Sequence, residues 1–378
     1  MLELADIFRA AGPAYREAYG PRMLPSHHKA MRDLEACRTA ALGGQLWACN
    51  ACDARRYSYH SCRNRHCPKC HRQQTERWLQ TQRARLLPCP YFLATFTLPA
   101  QLRPLARSHQ KKLYSLLLTA AAESLLALTA DPDYLGARPG LLAVLHTWTR
   151  ALRYHPHVHI LVTAGGWRDA PTPTWIAPKR PDFLVPGRAL SVVFRAKLRD
   201  ALRPTGLFPL APSSVWHKKW VVHLLNAGTG ERALDYLARY VHRVALANSR
   251  LERFDHGQVT FRYRDNRTHE IKRCTLEATR FIARFLQHVL PAGFSKVRSY
   301  GLFSPSQRPR LEHARAAIGQ PPSLPLPPSA PSDHPVPTHT TLPIRDVEAP
   351  RCPACRIGRL YLVDTLPPAP LLRPRPPP

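Results

Sequence analysis

Tyr154-His155-Pro156-His157-Val158-His159-Ile160-Leu161-Val162 is the stretch whose reading decides the fold. An apolar run with imidazoles at alternate positions, stopped by Gly165-Gly166, predicts a strand with the histidines on one face and Val158 turned into the core. Same-face neighbours on a strand have Cα atoms ~6.6–6.8 Å apart, so His157 and His159 can converge on one ion and leave other positions open. His155 and His159 would stand ~13 Å apart unless Pro156 bends the chain. His157 and His159 are therefore the expected ligands. The third stays open between His155 and His146, the latter on a preceding strand. A single buried histidine is ordinarily a satisfied core residue, and it is the pairing that argues for a metal. Imidazoles with open positions suit Mg²⁺ or Mn²⁺ bridging to phosphate, and zinc-like metals as well.

Outward from this strand, Tyr91–Leu98 and Leu141–Trp148 read as further strands, rich in aromatic, β-branched and aliphatic residues. A helix is expected from about Pro104 to Leu128, with Leu113, Leu116, Leu117 and Leu125 on one face. Residues 190–202 and 230–246 read as helices and Gln258–Tyr263 as a strand. A last helix runs from about Thr275 to Val289, ahead of Pro291-Ala292-Gly293. Mixed strands and helices of this kind predict an α+β fold around an antiparallel sheet. The division expected is residues 1–88, a cysteine-bearing DNA-binding domain ending in a basic helix from Gln73 to Leu87; 89–304, a catalytic domain; and 305–378, a proline-rich tail. Residues 321–343 carry nine prolines, and with Arg373–Pro378 they predict an extended, mobile tail.

The formal charge of +30, from 55 Lys+Arg against 25 Asp+Glu, disfavours a compact state unless a polyanion screens it, and nucleic acid is the usual such partner. No apolar run of about 18 residues is seen, so no membrane partner is expected. Met1–Ala10 lacks a cationic region ahead of a long apolar one. The chain reads as cytoplasmic, and its 10 cysteines then argue for metal ligation over disulfides.

Cys49-Asn50-Ala51-Cys52 and Cys67-Pro68-Lys69-Cys70 are two knuckles with 14 residues between them, a spacing that predicts one structural Zn²⁺ held by Cys49, Cys52, Cys67 and Cys70. Cys62, His60 and His66 lie in the same region, so a set with Cys62 or a histidine stays open. Arg63, Arg65, Lys69 and Arg72, with Tyr57 and Tyr59 nearby, make a basic platform suited to phosphates and base stacking. Cys352 and Cys355 form half a site. They could be completed across a dimer, by Cys37, Cys89 or Cys274, or stand as a remnant.

Tyr236-Leu237-Ala238-Arg239-Tyr240 puts two phenols on one helix face, Cβ atoms ~5–6 Å apart, with Leu234, Leu237, Val241 and Val244 as buried positions. Alone, they read as half-buried aromatics. Beside a histidine metal site they read as nucleophiles, because a phenol of pKa about 10 needs the phosphate it attacks to be polarised. Arg239, His242 and Arg243 add positive charge beside them.

Over residues 34–305 the chain resembles the two-tyrosine, rolling-circle transposases of bacterial insertion sequences, within the HUH endonuclease class. The resemblance rests on Cys37–Gly44, Ser61–Cys70, His155–His159, Tyr236–Ala245, His288–Pro291 and Tyr300–Leu302. It departs at Val221–Asn226, which replaces a usually basic, proline-containing segment, and at Arg356, where a glycine commonly follows the second cysteine. The resemblance implies a zinc-binding domain ahead of an HUH-type antiparallel sheet flanked by helices. It implies metal ligation by His157 and His159 and attack by Tyr236 and Tyr240 on single-stranded DNA at element ends and target. A replication initiator or relaxase would share the chemistry, and a catalytically silent DNA-binding regulator would share the sequence.

Overall fold

A computed structural model of the chain describes residues 2–70, 72–241, 245–265, 267–319 and 349–369; the side chains of 72–74, 236 and 238–241 fall outside that description. The chain begins with α1 (Leu4–Tyr19), α2 (Pro25–Ala36), a hairpin of β1 (Gly44–Cys49) and β2 (Arg55–Tyr59), and α3 (Arg72–Arg83). Next come β3 (Pro90–Thr97), α4 (Arg103–Ser108), α5 (Gln110–Ala130), β4 (Gly140–Trp148) and β5 (Tyr154–Thr163). A small ribbon, β6 (Gly166–Arg168) with β7 (Thr174–Ile176), leads to α6 (Gly187–Leu202), β8 (Val222–Thr229) and α7 (Gly230–Val241). The chain goes on through β9 (Leu251–Asp255), β10 (Gln258–Arg264), β11 (Ile271–Glu277), α8 (Ala278–Leu286), β12 (Val297–Gly301) and α9 (Arg308–Ala317) to β13 (Leu360–Leu366).

The central sheet has five strands in the order β12-β4-β5-β3-β8, and every neighbouring pair is antiparallel. This is the α+β architecture expected. Alternation sorts its side chains onto two faces. Phe92, Ala94, Phe96, Leu141, Ala143, Leu145, Val158, Ile160 and Val162 join one core with residues of α5 and α6. Leu142, Val144 and Leu161, on the opposite face, join another with Ala233, Leu234 and Leu237 of α7 and with Leu311 and Ala314 of α9. Burial on both faces explains why β4 reads as a continuous apolar run rather than an alternating one. Gly301 ends β12 at φ +57°, and a Cβ there would run into the carbonyl oxygen of Pro139, so only glycine fits that turn.

Two helical expectations change. The helix expected over 104–128 is two, because His109 leaves the helical region at φ −124°, ψ 45° between α4 and α5. By length and composition α5 could cross a membrane, but Leu113, Leu117, Leu118, Ala121 and Leu125 are buried in the core it shares with the sheet and α6, as in the core helix of a globular domain. Thr275–Glu277, expected to open the last helix, instead finish β11; Thr275 pairs with Thr260 across the ladder, hydroxyl to hydroxyl at 2.8 Å, and the helix starts at Ala278. Strand pairing wins there over helical pattern.

The N-terminal helices pack against elements from beyond residue 88. Among the described residues, α1 and α2 share their core with later elements: Leu4, Ile7, Phe8, Met31 and Leu34 pack with Phe261, Phe281, Ile282 and Phe285 of the β9–β11 region and α8. Phe8 meets Phe285 edge-on at 5.3 Å. The tail expected from residue 305 is partly built into the fold. Arg315 of α9, 4% exposed, donates to the carbonyls of Leu86 and Ala84 at 3.1 Å each, and β13 pairs with β1. The nine-proline stretch 321–343 and residues 373–378 lie outside the described residues.

Candidate functional site

Cross-strand register assembles the histidines. β5 is the middle strand, and His157 stands opposite His146 on β4 and Thr97 on β3, while His159 stands opposite Val144 and Thr95. Residues opposite one another in an antiparallel ladder share a face. His146, His157 and His159 therefore converge, each offering a ring nitrogen within 4.8 Å of the others. Of the two candidates for a third ligand, His146 joins the pair. His155 does not: its Nδ1 accepts from the Arg103 guanidinium at 2.6 Å.

Hydrogen bonds orient two of the rings. His157 Nδ1 lies 2.7 Å from the carbonyl oxygen of His155, which can only accept, so Nδ1 carries the proton and the Nε2 lone pair is left for a cation. His159 Nδ1 lies 2.9 Å from Thr95 Oγ1, a partner that can hold it in the same tautomer. Burial, followed by the neighbouring imidazoles, pushes His146 well below the usual histidine range and His157 down to about 3; burial pushes His159 down to about 4. The rings are neutral near pH 7, the form that binds metals. An all-nitrogen set fits Mn²⁺ or a zinc-like ion better than Mg²⁺, which prefers oxygen.

α7 packs over this same face through Ala233, Leu234 and Leu237, at the Leu142–Val144–Leu161 patch that adjoins the histidines. Tyr236 and the backbone of Tyr240 are thus on a helix seated on the histidine face. Their side chains lie outside the described residues, as do those of Arg72 and Arg239 and the whole of Arg243. α3 braces α7 from outside, where Arg83 and Asp235 pair at 2.8 Å.

The cysteines follow a different partition from the one expected. Cys49 and Cys52 do not meet Cys67 and Cys70. One cluster is Cys37, Cys62, Cys67 and Cys70; the other is Cys49, Cys52, Cys352 and Cys355. The reason is the hairpin. β1 carries Cys49 to the far end of its strand, while the return along β2 brings Cys62 back beside Cys37 at the end of α2. Sulfurs are 3.4 Å apart for Cys37–Cys70, 3.5 Å for Cys37–Cys67 and 3.7 Å for Cys62–Cys70. A tetrahedral ion with Zn–S bonds of about 2.3 Å sets its sulfurs ~3.8 Å apart, so the spacing fits zinc and is far too long for a disulfide of about 2.05 Å. Nothing in linear spacing connects Cys37 to the Cys67 knuckle; the fold brings them together. His66 stays outside both clusters, receiving the Leu290 N–H on Nε2 at 3.2 Å, and exposed His60 takes no part either.

The expected basic platform divides as well. Arg65 is turned inward, donating to the carbonyls of Phe294 and Pro291 at 2.6 Å each, and burial lowers its pKa. Lys69 is held by Glu3 at 2.7 Å. Arg63 is exposed, at φ +50°. A groove of about 390 Å³ on the β13-β1-β2 sheet is lined by Arg38, Arg56, Arg351, Trp47, Tyr57 and Tyr59. There the Tyr57 and Tyr59 rings stack with centroids 6.2 Å apart.

Residues 7–98 match the family model Zn_Tnp_IS91, "Transposase zinc-binding domain", and residues 140–310 match Y2_Tnp, "Putative transposase". The chain is 37% identical over 383 residues to "Putative transposase y4qJ" of Sinorhizobium fredii (strain NBRC 101917 / NGR234), covering 96% of this chain and 95% of that one. It is 29% identical over 300 residues to the "Transposase for insertion sequence element IS801" of Pseudomonas savastanoi pv. phaseolicola, covering 72% and 71%. No solved structure matches it. With both family regions in order and one relative aligned almost end to end, the chain belongs to the insertion-sequence transposases that join an IS91-type zinc-binding domain to a Y2-type transposase domain.

Proposed function

We propose that this transposase cleaves and rejoins single-stranded DNA at the ends of its element by tyrosine attack, in the rolling-circle manner. One arrangement carries the reading: three neutral imidazoles gathered on a sheet face, beneath the helix that bears Tyr236 and Tyr240. His146, His157 and His159 would hold a divalent ion, Mn²⁺ fitting their donors better than Mg²⁺. Such an ion, when bound, draws charge from a phosphate oxygen and stabilises the transition state.

One tyrosine oxygen attacks the scissile phosphorus and releases its proton to water. The P–O3′ bond breaks, the 3′ oxygen takes up a proton, and the 5′ phosphate remains esterified to the phenol. The ester conserves the bond energy, so a later 3′-hydroxyl can reverse the step without an external source. The second tyrosine allows a second strand to be held while the first ester persists. The stacked tyrosines and arginines on the β13-β1-β2 sheet support a grip on unpaired DNA away from the chemistry.

The test is covalent adduct formation on single-stranded oligonucleotides of the element's ends, with Mn²⁺ or Mg²⁺. Wild type should give a 5′-phosphotyrosine adduct and a free 3′ end. Undiminished adduct from a Tyr236→Phe, Tyr240→Phe double variant would overturn the reading. A His157→Ala, His159→Ala variant should lose cleavage while still binding the oligonucleotide; loss of binding instead would assign the pair a structural role.

A further inference from the structure

We infer that Cys49, Cys52, Cys352 and Cys355 form a second structural zinc site, which clasps the C-terminal segment onto the N-terminal sheet. The matched zinc-binding region ends at residue 98, so it accounts for only half of these ligands. The structure brings the other half across about 300 residues of sequence, with Cys49 and Cys355 sulfurs 3.6 Å apart and Cys52 and Cys352 sulfurs 3.8 Å apart. Those spacings match the ~3.8 Å of a tetrahedral thiolate site, and all four sulfurs belong to free cysteines. Four thiolates in a tetrahedron select zinc or iron, and this is a closed set with no position left for substrate, hence structural.

The two Cys-x-x-Cys turns interlock. The Ala51 N–H donates to Cys49 Sγ and the Gly358 N–H to Cys355 Sγ, each at 3.3 Å, the backbone support that thiolate ligands need. The Asn50 N–H donates to the Arg359 carbonyl at 3.1 Å, and the Arg359 N–H returns to Asn50 Oδ1 at 2.8 Å. Gly358 is packed so closely that a Cβ there would sit 2.5 Å from Cys49 Sγ. From this junction β13 runs antiparallel along β1, from Cys49 opposite Leu360 to Gly44 opposite Leu366. The apolar support is small, little more than Leu360 with Trp47 and Ala54 around the cysteines. A core that size does not hold a strand by burial alone, and a metal supplies what is lacking. The clasp also sets Arg351 into the aromatic groove.

Elemental analysis of the purified full-length protein tests this. In a His157→Ala, His159→Ala background, which removes the imidazole set as a competing zinc site, two zinc ions per chain are expected, falling to one on adding Cys352→Ser, Cys355→Ser and to one on adding Cys67→Ser, Cys70→Ser. On the wild-type protein, Cys49, Cys52, Cys352 and Cys355 should resist alkylation by N-ethylmaleimide together, and should lose protection together when a chelator is added. This second measurement decides the matter even where a serine variant does not fold. One zinc per chain, iron in place of zinc, two ions retained without Cys352 and Cys355, or rapid alkylation of those two while Cys49 and Cys52 stay protected would each overturn the inference.

Discussion

The histidine face and the cysteine clusters are both built to hold metal, yet they are assembled in opposite ways. His146, His157 and His159 come from one hairpin, and strand register alone brings them together. Their supports are sheet hydrogen bonds and two packed faces, which owe nothing to a cation. The second cysteine cluster closes a loop of 306 residues between Cys49 and Cys355, over a core of a few side chains. Loop closure costs entropy that only favourable contacts can offset, and there the contacts are sulfur ligands. One centre is placed by the fold; the other helps to place the fold.

The largest effect follows from that contrast. Stripping all metal with a strong chelator should leave β4 and β5 amides slow to exchange with deuterium while β1 and β13 amides become fast. Structural zinc is worth roughly 10–16 kcal/mol in apparent binding free energy, so losing it should open the small sheet completely. Concerted loss of protection in β4 and β5 would break the comparison, since the histidine face would then depend on metal as well.

Next in size is the identity of the third imidazole. His146→Ala should abolish Mn²⁺-dependent cleavage as fully as His157→Ala. His155→Ala removes only a ring that receives the Arg103 guanidinium and supplies no ligand atom, and should cost far less. Equal loss from both would return His155 to the ligand set. Thr95→Val should be milder still. It deletes the hydroxyl against His159 Nδ1, and changes of that kind weaken metal affinity by about 10–100-fold. Titration of Mn²⁺ against cleavage rate should show the curve displaced with the plateau retained.

How much of this was legible in the sequence follows the same division. The central sheet strands β3, β4 and β5 and the α7 helix could be read because their patterns are local: period two around Val158, aromatic and β-branched runs at Tyr91–Thr97, heptad-like leucines at Leu234 and Leu237. β8 has no such signature, since an edge strand exposes Leu225 and His223 and shows no buried run. The partition of the cysteines could not be read, because spacing identifies a knuckle but not its partner. Cys67-Pro68-Lys69-Cys70 fits Cys49 and Cys52 as well on paper as it fits Cys37 and Cys62 in space. The role of Arg65 is hidden for a similar reason. A basic residue beside a zinc knuckle looks like a phosphate contact until the carbonyls it reaches, more than 220 positions along the chain, are brought beside it.

Arg65 also gives the smallest and most discriminating prediction, because it joins the two regions compared. Its guanidinium leaves the Cys67 knuckle and donates to the carbonyls of Pro291 and Phe294, in the turn just before β12 of the central sheet. Arg65→Leu keeps much of the apolar stem but removes the guanidinium from the Phe294 carbonyl and from the Pro291 carbonyl, which keeps the Phe294 N–H at 3.2 Å, a loss of about 1–3 kcal/mol. As a strut it should lower the thermal midpoint by a few degrees and leave the salt dependence of DNA binding as it was. A phosphate contact would do the reverse, lowering the slope of log K against log salt by about 0.7 for a single strand with little change in stability. Arg56→Leu is the matched control, an exposed arginine in the aromatic groove. It should reduce the slope and spare the midpoint. If the two variants exchange these signatures, the platform expected around the Cys67 knuckle is the DNA contact and the groove beside the second cluster is not.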